Sequence, residues 1–376
     1  MISIKTDLFK VPEKFSAFNG RSRAAELDRS LWRLLASVIR VGRPVELKEG
    51  TSLEPVASGI PASLLKAEIE VLPEAQRLIG SGNFLVVYAR AAQIPWCLQE
   101  IGRLREMTFR AAGEGTGRSS DIDLYDAYYL HLFVWDAKTE MIVGAYRMGL
   151  ADEISSRYGK TGLYTQTLFS YGNRVLSRLN PAIELGRSFV RAEYQRNFSP
   201  LMLMWRGICQ FILRSPRYAI LFGPVSISNA YAPLSREMMV EYLSTNNVEP
   251  SVARHVKARR PFRVRRQGVW NERGLASVRD IEELSRVIER IEDDNKGVPV
   301  LLRQYLKLGG RLLGFSSDNA FSDALDGLIM VDLRDSDPRV LGRYMGESGL
   351  AEFQAFHGID PHSRELARMP GSARKA

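Results

Sequence analysis

The pattern of apolar and polar positions along the chain predicts a β-sheet flanked by helices. "YLHLFVWD" (129–136) and "MIVGAYRMG" (141–149) are rich in β-branched and aromatic residues. The short polar segment "AKTE" joins them, which predicts an antiparallel hairpin. Four further strands are predicted at "NFLVVYA" (83–89), "AIELGRSFV" (182–190), "YAILFGPVSIS" (218–228) and "LIMVDL" (328–333).

Helical patterns lie between and after these strands. Helices are predicted at "ASLLKAEIEVL" (62–72), "IPWCLQEIGRLREMTFRAA" (94–112), "SPLMLMWRGICQFIL" (199–213), "PLSREMMVEYL" (233–243), "VRDIEELSRVIERIEDD" (278–294) and "VPVLLRQYLKLGG" (298–310). Pro95 and Pro200 fall in first turns, where proline is tolerated, and Ser199 is placed to cap. The order of elements predicts a mixed α/β sheet with C-terminal helical additions, not a doubly wound one.

The chain is predicted to consist of one main domain with extensions. Residues 1–57 are charged and rich in turn residues, and a Gly- and Pro-containing break at 58–64 marks a boundary. The main domain spans 58–360 and includes a basic loop at 245–275, and the tail 361–376 is predicted to be disordered.

Composition and charge narrow the class of partner. The chain has 376 residues, is 45% hydrophobic and 25% charged, and carries a formal net charge of +9. This charge favours an acidic protein, an anionic membrane or nucleic acid as partner. The basic run at 254–266 contains a single aromatic residue, Phe262, which argues against a nucleic-acid groove. No leader or membrane-spanning run is visible, so we expect a cytoplasmic protein, with peripheral membrane contact left open.

Several common catalytic chemistries find no support in the sequence. Cys97 and Cys209 form no CxxC pair and have no histidine cluster, which excludes a disulfide scaffold and a zinc module. There is no G-x-S-x-G motif, and "AAGEGTG" (111–117) lacks the lysine of a phosphate-binding loop and is interpreted as a turn. His131 and Asp136 spell His-x4-Asp, but residues five apart on a strand face opposite ways, so His131 is interpreted as a core histidine.

Charged residues instead cluster around consecutive predicted strands. They are Arg105 with Phe109 in "RLREMTFR", Asp123 and Asp126 in "DIDLYD", Arg147 in "GAYR", and Glu184 and Arg187 in "ELGR". Two interpretations remain open, a buried ion-pair network and an active site, because both perturb the pKa values of their members.

The ordered set R-x-x-x-F, D-x-x-D, "VGAYR" and "ELGRSFV" resembles the acyl-carrier-protein-dependent branch of the GNAT-fold N-acyltransferases. "LMWRGI", "LFGPVSIS", "VPVLLRQYLKLGG" and "LDGLIMVDL" are similar to the ornithine-lipid and glycine-lipid N-acyltransferases, which are also labelled hemolysins. The resemblance covers roughly residues 60–356 and implies a GNAT-like mixed, splayed β-sheet flanked by helices. It further implies transfer of a long-chain or 3-hydroxy fatty acyl group to the α-amine of ornithine or glycine, which gives a lyso-aminolipid.

The resemblance also implies roles for the charged residues. Glu184 would take the proton of the attacking amine, directly or through water. Arg147 and Arg187 would order the carboxylates or hold the carboxylate of the amino acid, while Asp123 and Asp126 would bind the amine or fix the arginines. In a regular strand Glu184 and Arg187 face opposite ways, so a β-bulge near Gly186 is predicted if both serve one cleft.

On the donor side, the expected substrate is the acyl-phosphopantetheine of acyl carrier protein, with no bound cofactor and no metal. The donor-binding candidates are Arg105, Phe109, Arg196, Asn197 and Ser199. The segment "RAEYQRNFSP" lacks the glycines with which acetyl-CoA enzymes of this fold wrap a pyrophosphate, whereas the helix start at Ser199 suits a single phosphate. An acidic carrier protein also matches the positive net charge.

Residues 20–47 look similar to the end of a glycerolipid O-acyltransferase domain, so 1–57 is interpreted as a remnant of one, without its activity. Two alternative functions remain. One is a signal synthase of the acyl-homoserine-lactone type, and the other is a non-enzymatic, membrane-active hemolysin.

Overall fold

The computed structural model describes residues 53–196, 199–262 and 278–360. Its strands are β1 Arg77–Ser81, β2 Phe84–Arg90, β3 Leu130–Asp136, β4 Met141–Leu150, β5 Phe169–Ser170, β6 Ala182–Val190, β7 Ile220–Ile227, β8 Lys257–Ala258, β9 Arg311–Asp318 and β10 Ala324–Asp332. Its helices are α1 Ala62–Glu70, α2 Pro95–Ala111, α3 Ala151–Tyr158, α4 Asn173–Leu179, α5 Ser199–Arg214, α6 Pro233–Asn246, α7 Pro250–Ala253, α8 Ile281–Glu289, α9 Val300–Lys307 and α10 Pro338–Phe356.

Eight strands form one mixed sheet in the order β1-β2-β3-β4-β6-β7-β10-β9. Neighbouring strands are antiparallel, except that β6 and β7 run parallel. The predicted hairpin is β3–β4, and the other predicted strands and helices are all present. This architecture confirms the mixed α/β, GNAT-like fold predicted from the sequence.

Helices cover both faces of the sheet. On one face α5 packs against β1–β4 and against α10, and its Trp205 is fully buried beside Tyr146, Tyr305 and Tyr344. On the other face α2 packs against β4, β6 and α1. Arg105, one of the charged residues singled out in the sequence, lies on α2 and so on this second face.

The two parallel strands part soon after they meet. Their register covers only Ala182–Glu184 of β6 and Ile220–Phe222 of β7, although both strands continue beyond it. At the point of separation a Cβ on Gly223 would lie 2.0 Å from the carbonyl oxygen of Leu185, so only glycine allows this approach. The sheet therefore opens into a cleft between β6 and β7, as the prediction of a splayed sheet requires.

A β-bulge interrupts the β4–β6 pairing. Ala145 lies opposite Phe189 and Arg147 opposite Gly186, so Arg187 and Ser188 together face Tyr146. Arg187 adopts a positive φ of 52°, which allows the extra residue to fit. The predicted bulge is confirmed, and it breaks the strict alternation that would place Glu184 and Arg187 on opposite faces.

The predicted basic loop needs a correction in its described part. Residues 250–253 form α7, and β8 pairs with β5 in a second, two-stranded sheet. The backbone N–H of Arg259 also donates to the carbonyl of Leu168. A two-residue strand is too short to show periodicity in the sequence, which explains the error.

Other predictions fall outside the described residues. These are the O-acyltransferase remnant in residues 1–52, the remainder of the basic loop at 263–277, and the tail at 361–376. The described chain begins as an extended segment whose Glu54 and Ala57 N–H groups donate to the carbonyls of Gly117 and Ser119. Among the helices that the structure describes, none combines the length and apolar character needed to cross a membrane.

Candidate active site

The site begins with the D-x-x-D segment, which forms a short 3-10 helix at Leu124–Ala127. Asp123 precedes this helix and accepts from Tyr125 N at 2.9 Å, while the Asp126 carboxylate accepts from Asp123 N at 2.9 Å. The spacing thus forms a reciprocal capping arrangement, which fixes both carboxylates relative to the backbone. Asp126 also accepts from Nη1 of Arg105, which lies on α2, at 2.7 Å, and both side chains are buried.

Two further arginines converge on the same aspartates from adjacent strands. Nη1 of Arg147, on β4, lies 2.6 Å from Asp123 Oδ1 and 3.3 Å from Asp126 Oδ1. Nη2 of Arg187, on β6, lies 3.3 Å from Asp123 Oδ2, and its Nε lies 3.0 Å from Asp121 Oδ2. We call Arg105, Arg147, Arg187, Asp121, Asp123 and Asp126 the ion-pair array.

The array is open to solvent on one side only. The side chain of Asp123 is 18% exposed and that of Arg187 is 10% exposed, whereas that of Arg147 is 1% exposed. A ligand from solvent would therefore contact Asp123 and Arg187 first. Arg147 is almost completely buried, and it contacts Asp123 and Asp126.

Two carboxyl groups of the array have pKa values that are shifted in opposite directions. Burial raises the pKa of Asp126, but Arg105 and Arg147 outweigh burial and hold that pKa well below its usual range. Burial also raises the pKa of Asp121, and here Arg187 and Arg105 do not fully compensate, so the pKa stays raised. Asp126 is consequently ionised at neutral pH, and it anchors two arginines.

Glu184 lies in a separate, nearly closed environment. Its carboxylate accepts hydrogen bonds from the Tyr129 hydroxyl, from Tyr164 N at 3.1 Å and from Thr165 N at 2.7 Å. Burial raises the pKa of Glu184 despite these three donors. The carboxylate is thus held in one orientation, with a higher proton affinity than a solvated glutamate has.

Tyr164 connects Glu184 to the array. Its ring centroid lies 5.1 Å from Arg147 Cζ and 4.7 Å from Arg187 Cζ, so both guanidinium groups lie over one aromatic ring. Tyr125 and Tyr129 also contact Arg147, at 5.6 Å and 5.2 Å. Glu184 and Arg187 therefore both contact Tyr164, one through its backbone N–H and the other through its ring.

Four residues of the site were not predicted from the sequence: Asp121, Tyr129, Tyr164 and Thr165. Asp121 begins the "DIDLYD" segment, and Tyr129 begins the predicted strand "YLHLFVWD". Tyr164 and Thr165 lie in the 3-10 helix Tyr164–Thr167, where no motif marks them. Only the fold brings this segment against Glu184.

The predicted donor-binding residues do not all lie together. Arg105 is buried in the ion-pair array. Phe109 packs edge to face on Phe321, with ring centroids 6.3 Å apart. The Phe321 ring centroid lies 4.2 Å from Arg187 Cζ. Arg196 and Ser199 are exposed near the start of α5, and Asn197 lies outside the described residues. Their roles in donor binding stay predictions.

The interpretation of His131 as a core histidine is confirmed. Its Nε2 donates to the carbonyl of Asp126 at 2.9 Å, and burial lowers its pKa to about 4. Asp136 instead accepts from the Tyr194 hydroxyl and from Lys138 N, both at 2.9 Å. The two residues therefore form no relay.

Neither cysteine has the lowered pKa that a catalytic thiol requires. Cys97 and Cys209 are buried, and burial raises the pKa of both thiols. The "AAGEGTG" segment is a turn, as predicted, and it wraps around Glu106, which accepts from Thr116 N and Gly117 N.

Comparison with known proteins shows which families the chain resembles. Residues 104–206 match the family model described as an acetyltransferase (GNAT) domain. A glycine N(alpha)-acyltransferase of Phocaeicola vulgatus is 33% identical over 205 residues, which cover 51% of this chain and 62% of that protein. An L-ornithine N(alpha)-acyltransferase of Rhizobium meliloti is 37% identical over 119 residues, 30% of this chain and 38% of that protein. The chain thus spans less than two thirds of the curated relatives it matches.

A solved structure of a CoA-dependent acyl-homoserine lactone synthase, BjaI, with SAM and isopentyl-CoA, aligns with a TM-score of 0.32 and 13% identity. The alignment covers 72% of this chain and 88% of that one. The family match includes the whole ion-pair array and Glu184. Residues 104–206 therefore resemble a GNAT acetyltransferase domain, in a chain similar to glycine and ornithine N(alpha)-acyltransferases.

Proposed function

We propose that the protein transfers a long-chain fatty acyl group from acyl carrier protein to the α-amine of an amino acid, ornithine or glycine, to form a lyso-aminolipid. The observation that carries the proposal is the position of Glu184. This buried carboxylate has a raised pKa and lies in the last residue pair before β6 and β7 separate. It accepts a hydrogen bond from the N–H of Tyr164, whose ring contacts Arg147 and Arg187. The named relatives support the same class of reaction.

The acceptor arrives as an ammonium and must lose a proton before it attacks. A base whose pKa is raised toward neutrality matches that task. The resulting amine attacks the thioester carbonyl carbon, the tetrahedral intermediate collapses, and the C–S bond breaks. The attacking nitrogen loses two protons in all. Glu184 takes up the first and releases it to solvent, and the second passes to the departing thiolate as the intermediate collapses. The products are the amide, the thiol and one proton, so the step balances without another reactant.

In this proposal, the ion-pair array binds the charged groups of the acceptor. Arg187 is its more exposed arginine and is the group that would hold the acceptor's carboxylate. Asp123 is its most exposed carboxylate and would receive the ammonium before proton transfer. Arg147 and Arg105 act as positioning residues, because each is buried against Asp126.

The separation of β6 and β7 provides a place for the donor. Beyond Glu184 and Phe222 the two strands no longer pair with each other, so their backbone groups can meet the amides of a phosphopantetheine arm. The start of α5, at Ser199, is the helix N-terminus that would receive the phosphate at the end of that arm. The net charge of +9 is consistent with an acidic carrier protein as partner.

The test is expression in a bacterial host, followed by lipid extraction and mass spectrometry. We expect a new N-acyl amino acid, and purified protein should form it from acyl carrier protein thioester faster than from acyl-CoA. An N-acyl-homoserine lactone would instead support the signal synthase, and an unchanged lipid profile from folded protein would refute the proposal.

The variant Glu184→Gln tests the base. We expect a loss of activity of about 100-fold or more, because proton transfer by a positioned group contributes at least that factor. Glu140→Gln, at an exposed position that pairs with Lys66, is the control and should keep full activity.

A further inference from the structure

A second group of carboxylates lies on the strands beyond the cleft. Asp326 of β10 is directly opposite Ser226 of β7 and Ser316 of β9. Asp318 follows Ser316 by two residues and therefore faces the same side of the sheet. Glu114, from the turn after α2, accepts a hydrogen bond from Ser226 Oγ at 2.8 Å. We call Glu114, Asp318 and Asp326 the acidic group.

The acidic group shares a face with Glu184. Glu184 pairs with Phe222, and Ser226 lies four residues further along β7, where the register with β10 is unbroken. Tyr164 spans the interval, since its N–H donates to Glu184 and its hydroxyl donates to Asp318 Oδ2 at 3.3 Å. The length of one tyrosine thus separates the proposed base from the acidic group.

Asp326 is a buried carboxylate that contacts no counter-ion among the described residues. Its exposed fraction is 6%, and that of Asp318 is 7%. Across the ranges that the structure describes, no hydrogen bond or ion pair reaches the Asp326 carboxylate. A buried carboxylate that lacks a partner is costly, so a site of this kind favours a cationic ligand.

The electrostatics of the surrounding groups agree with this geometry. Burial raises the pKa of Asp326, and Asp318 and Glu114 raise it further, while Arg187 lowers it. Burial likewise raises the pKa of Glu114, and Asp318 adds to that effect against the hydrogen bond from Ser226. A bound cation would favour the ionised forms of these carboxyl groups and so lower their raised pKa values.

We propose that the acidic group binds a second, side-chain ammonium of the acceptor, so that the preferred acceptor is a short diamino acid and not glycine. This inference rests on the proposed function, because it places the acceptor's α-amine at Glu184. The side chain of an ornithine-sized acceptor, with a hydrogen bond at each nitrogen, would extend from Glu184 along Tyr164 towards Asp318 and Asp326. Glycine has no group that could reach the acidic group.

The test compares ornithine with norvaline, which has the same carbon chain but lacks the terminal amine. Calorimetry on the purified full chain should show that ornithine binds about 10- to 100-fold more tightly, the range of a charge-assisted contact. Asp326→Asn should reduce this ratio to nearly one. Asp332→Asn is the matched control, because Asp332 lies on the same strand but pairs with Arg334. That variant should keep the wild-type ratio.

Acylation assays with the same two acceptors separate this inference from the proposed function. If the wild type acylates norvaline or glycine as efficiently as ornithine and binds them equally, the acidic group does not select a diamino acid, although the function stands. If no amino acid is acylated but the binding preference depends on Asp326, the site stands and the function fails. Should Asp326→Asn not fold, the wild-type binding ratio and Asp318→Asn decide.

Discussion

The Tyr129 hydroxyl donates a hydrogen bond to the Glu184 carboxylate, across a sequence separation of 55 residues. The N–H of Tyr164 donates both to Glu184 and to that same hydroxyl, so the three groups form a closed triangle. This arrangement holds the proposed base in place and partly stabilises its ionised form.

Tyr129→Phe is expected to move the acidic limb of the rate profile to higher pH. The hydroxyl lowers the pKa of Glu184, which burial has raised, so its removal raises that pKa further. Since the base acts when deprotonated, more of the enzyme is inactive at a given acidic pH. The shift should be about one pH unit or more, from the energy of a hydrogen bond to a charged group.

The control for this experiment is Tyr128→Phe. The Tyr128 hydroxyl donates to the carbonyl of Gly162 and not to Glu184. Rate profiles of kcat/KM from pH 5 to 9 distinguish the variants. Identical acidic limbs for Tyr129→Phe and the wild type would show that Glu184 is not the titrating base.

Asp126→Asn is expected to lower the free energy of unfolding by about 3–5 kcal/mol, because it leaves the buried Arg105 guanidinium without its charged partner. Urea unfolding at pH 7 measures the change. Lys66→Met removes one partner of the exposed Lys66–Glu140 pair and should leave stability nearly unchanged. Equal effects of the two variants would contradict a stabilising role for the array.

His131 should make the protein less stable in moderate acid. Its pKa is about 4 in the folded state and about 6.5 in the unfolded chain, so between these values the unfolded state binds the proton. The contribution is therefore fully present above pH 6.5 and is lost as the pH falls toward 4, by roughly 3 kcal/mol in all.

The variant His131→Gln removes this titration and retains a side-chain N–H for the Asp126 carbonyl. Urea unfolding at pH 7 and pH 4.5 should show a smaller stability difference for the variant than for the wild type. The same difference in both proteins would mean that other groups carry the acid sensitivity.

Gly223→Ala is expected to destabilise the protein by about 1–3 kcal/mol, since the new Cβ would meet the Leu185 carbonyl at the point where β6 and β7 separate. Gly186→Ala is the control on the neighbouring strand, where a Cβ meets no atom within 4 Å. Chemical denaturation of both variants measures the difference. A Gly223→Ala variant as stable as Gly186→Ala would show that the two strands can move apart freely.

Much of the fold could be predicted because its strands and helices have strong local signals. The β3–β4 hairpin and α5 are long, apolar and clearly bounded, so their patterns predicted them correctly. β9, with the sequence "RLLGFSSD", was missed because a glycine and three polar residues obscure its alternation. α10 was missed as well, and Gly346, with a φ of 77°, interrupts its helical conformation.

Most charged residues of the ion-pair array were predicted from the sequence. Arg105, Asp126, Arg147 and Arg187 were identified, because charges inside apolar runs require partners. Asp318 and Asp326 were not, because each ends or interrupts a strand whose position in the sheet no local pattern reveals. The β6–β7 crossover sets that position by placing β10 and β9 beyond the cleft.

The sequence by itself determined which residues carry charge within apolar strands, the mixed α/β class and the need for a bulge near Gly186. Local chemistry decides these features, because side-chain alternation and propensity act over a few residues. Only the tertiary structure decided that Tyr129, Tyr164 and Thr165 hold Glu184, and that Asp318 and Asp326 share its face. Those contacts join segments that are distant in sequence, and they depend on the order and register of the strands.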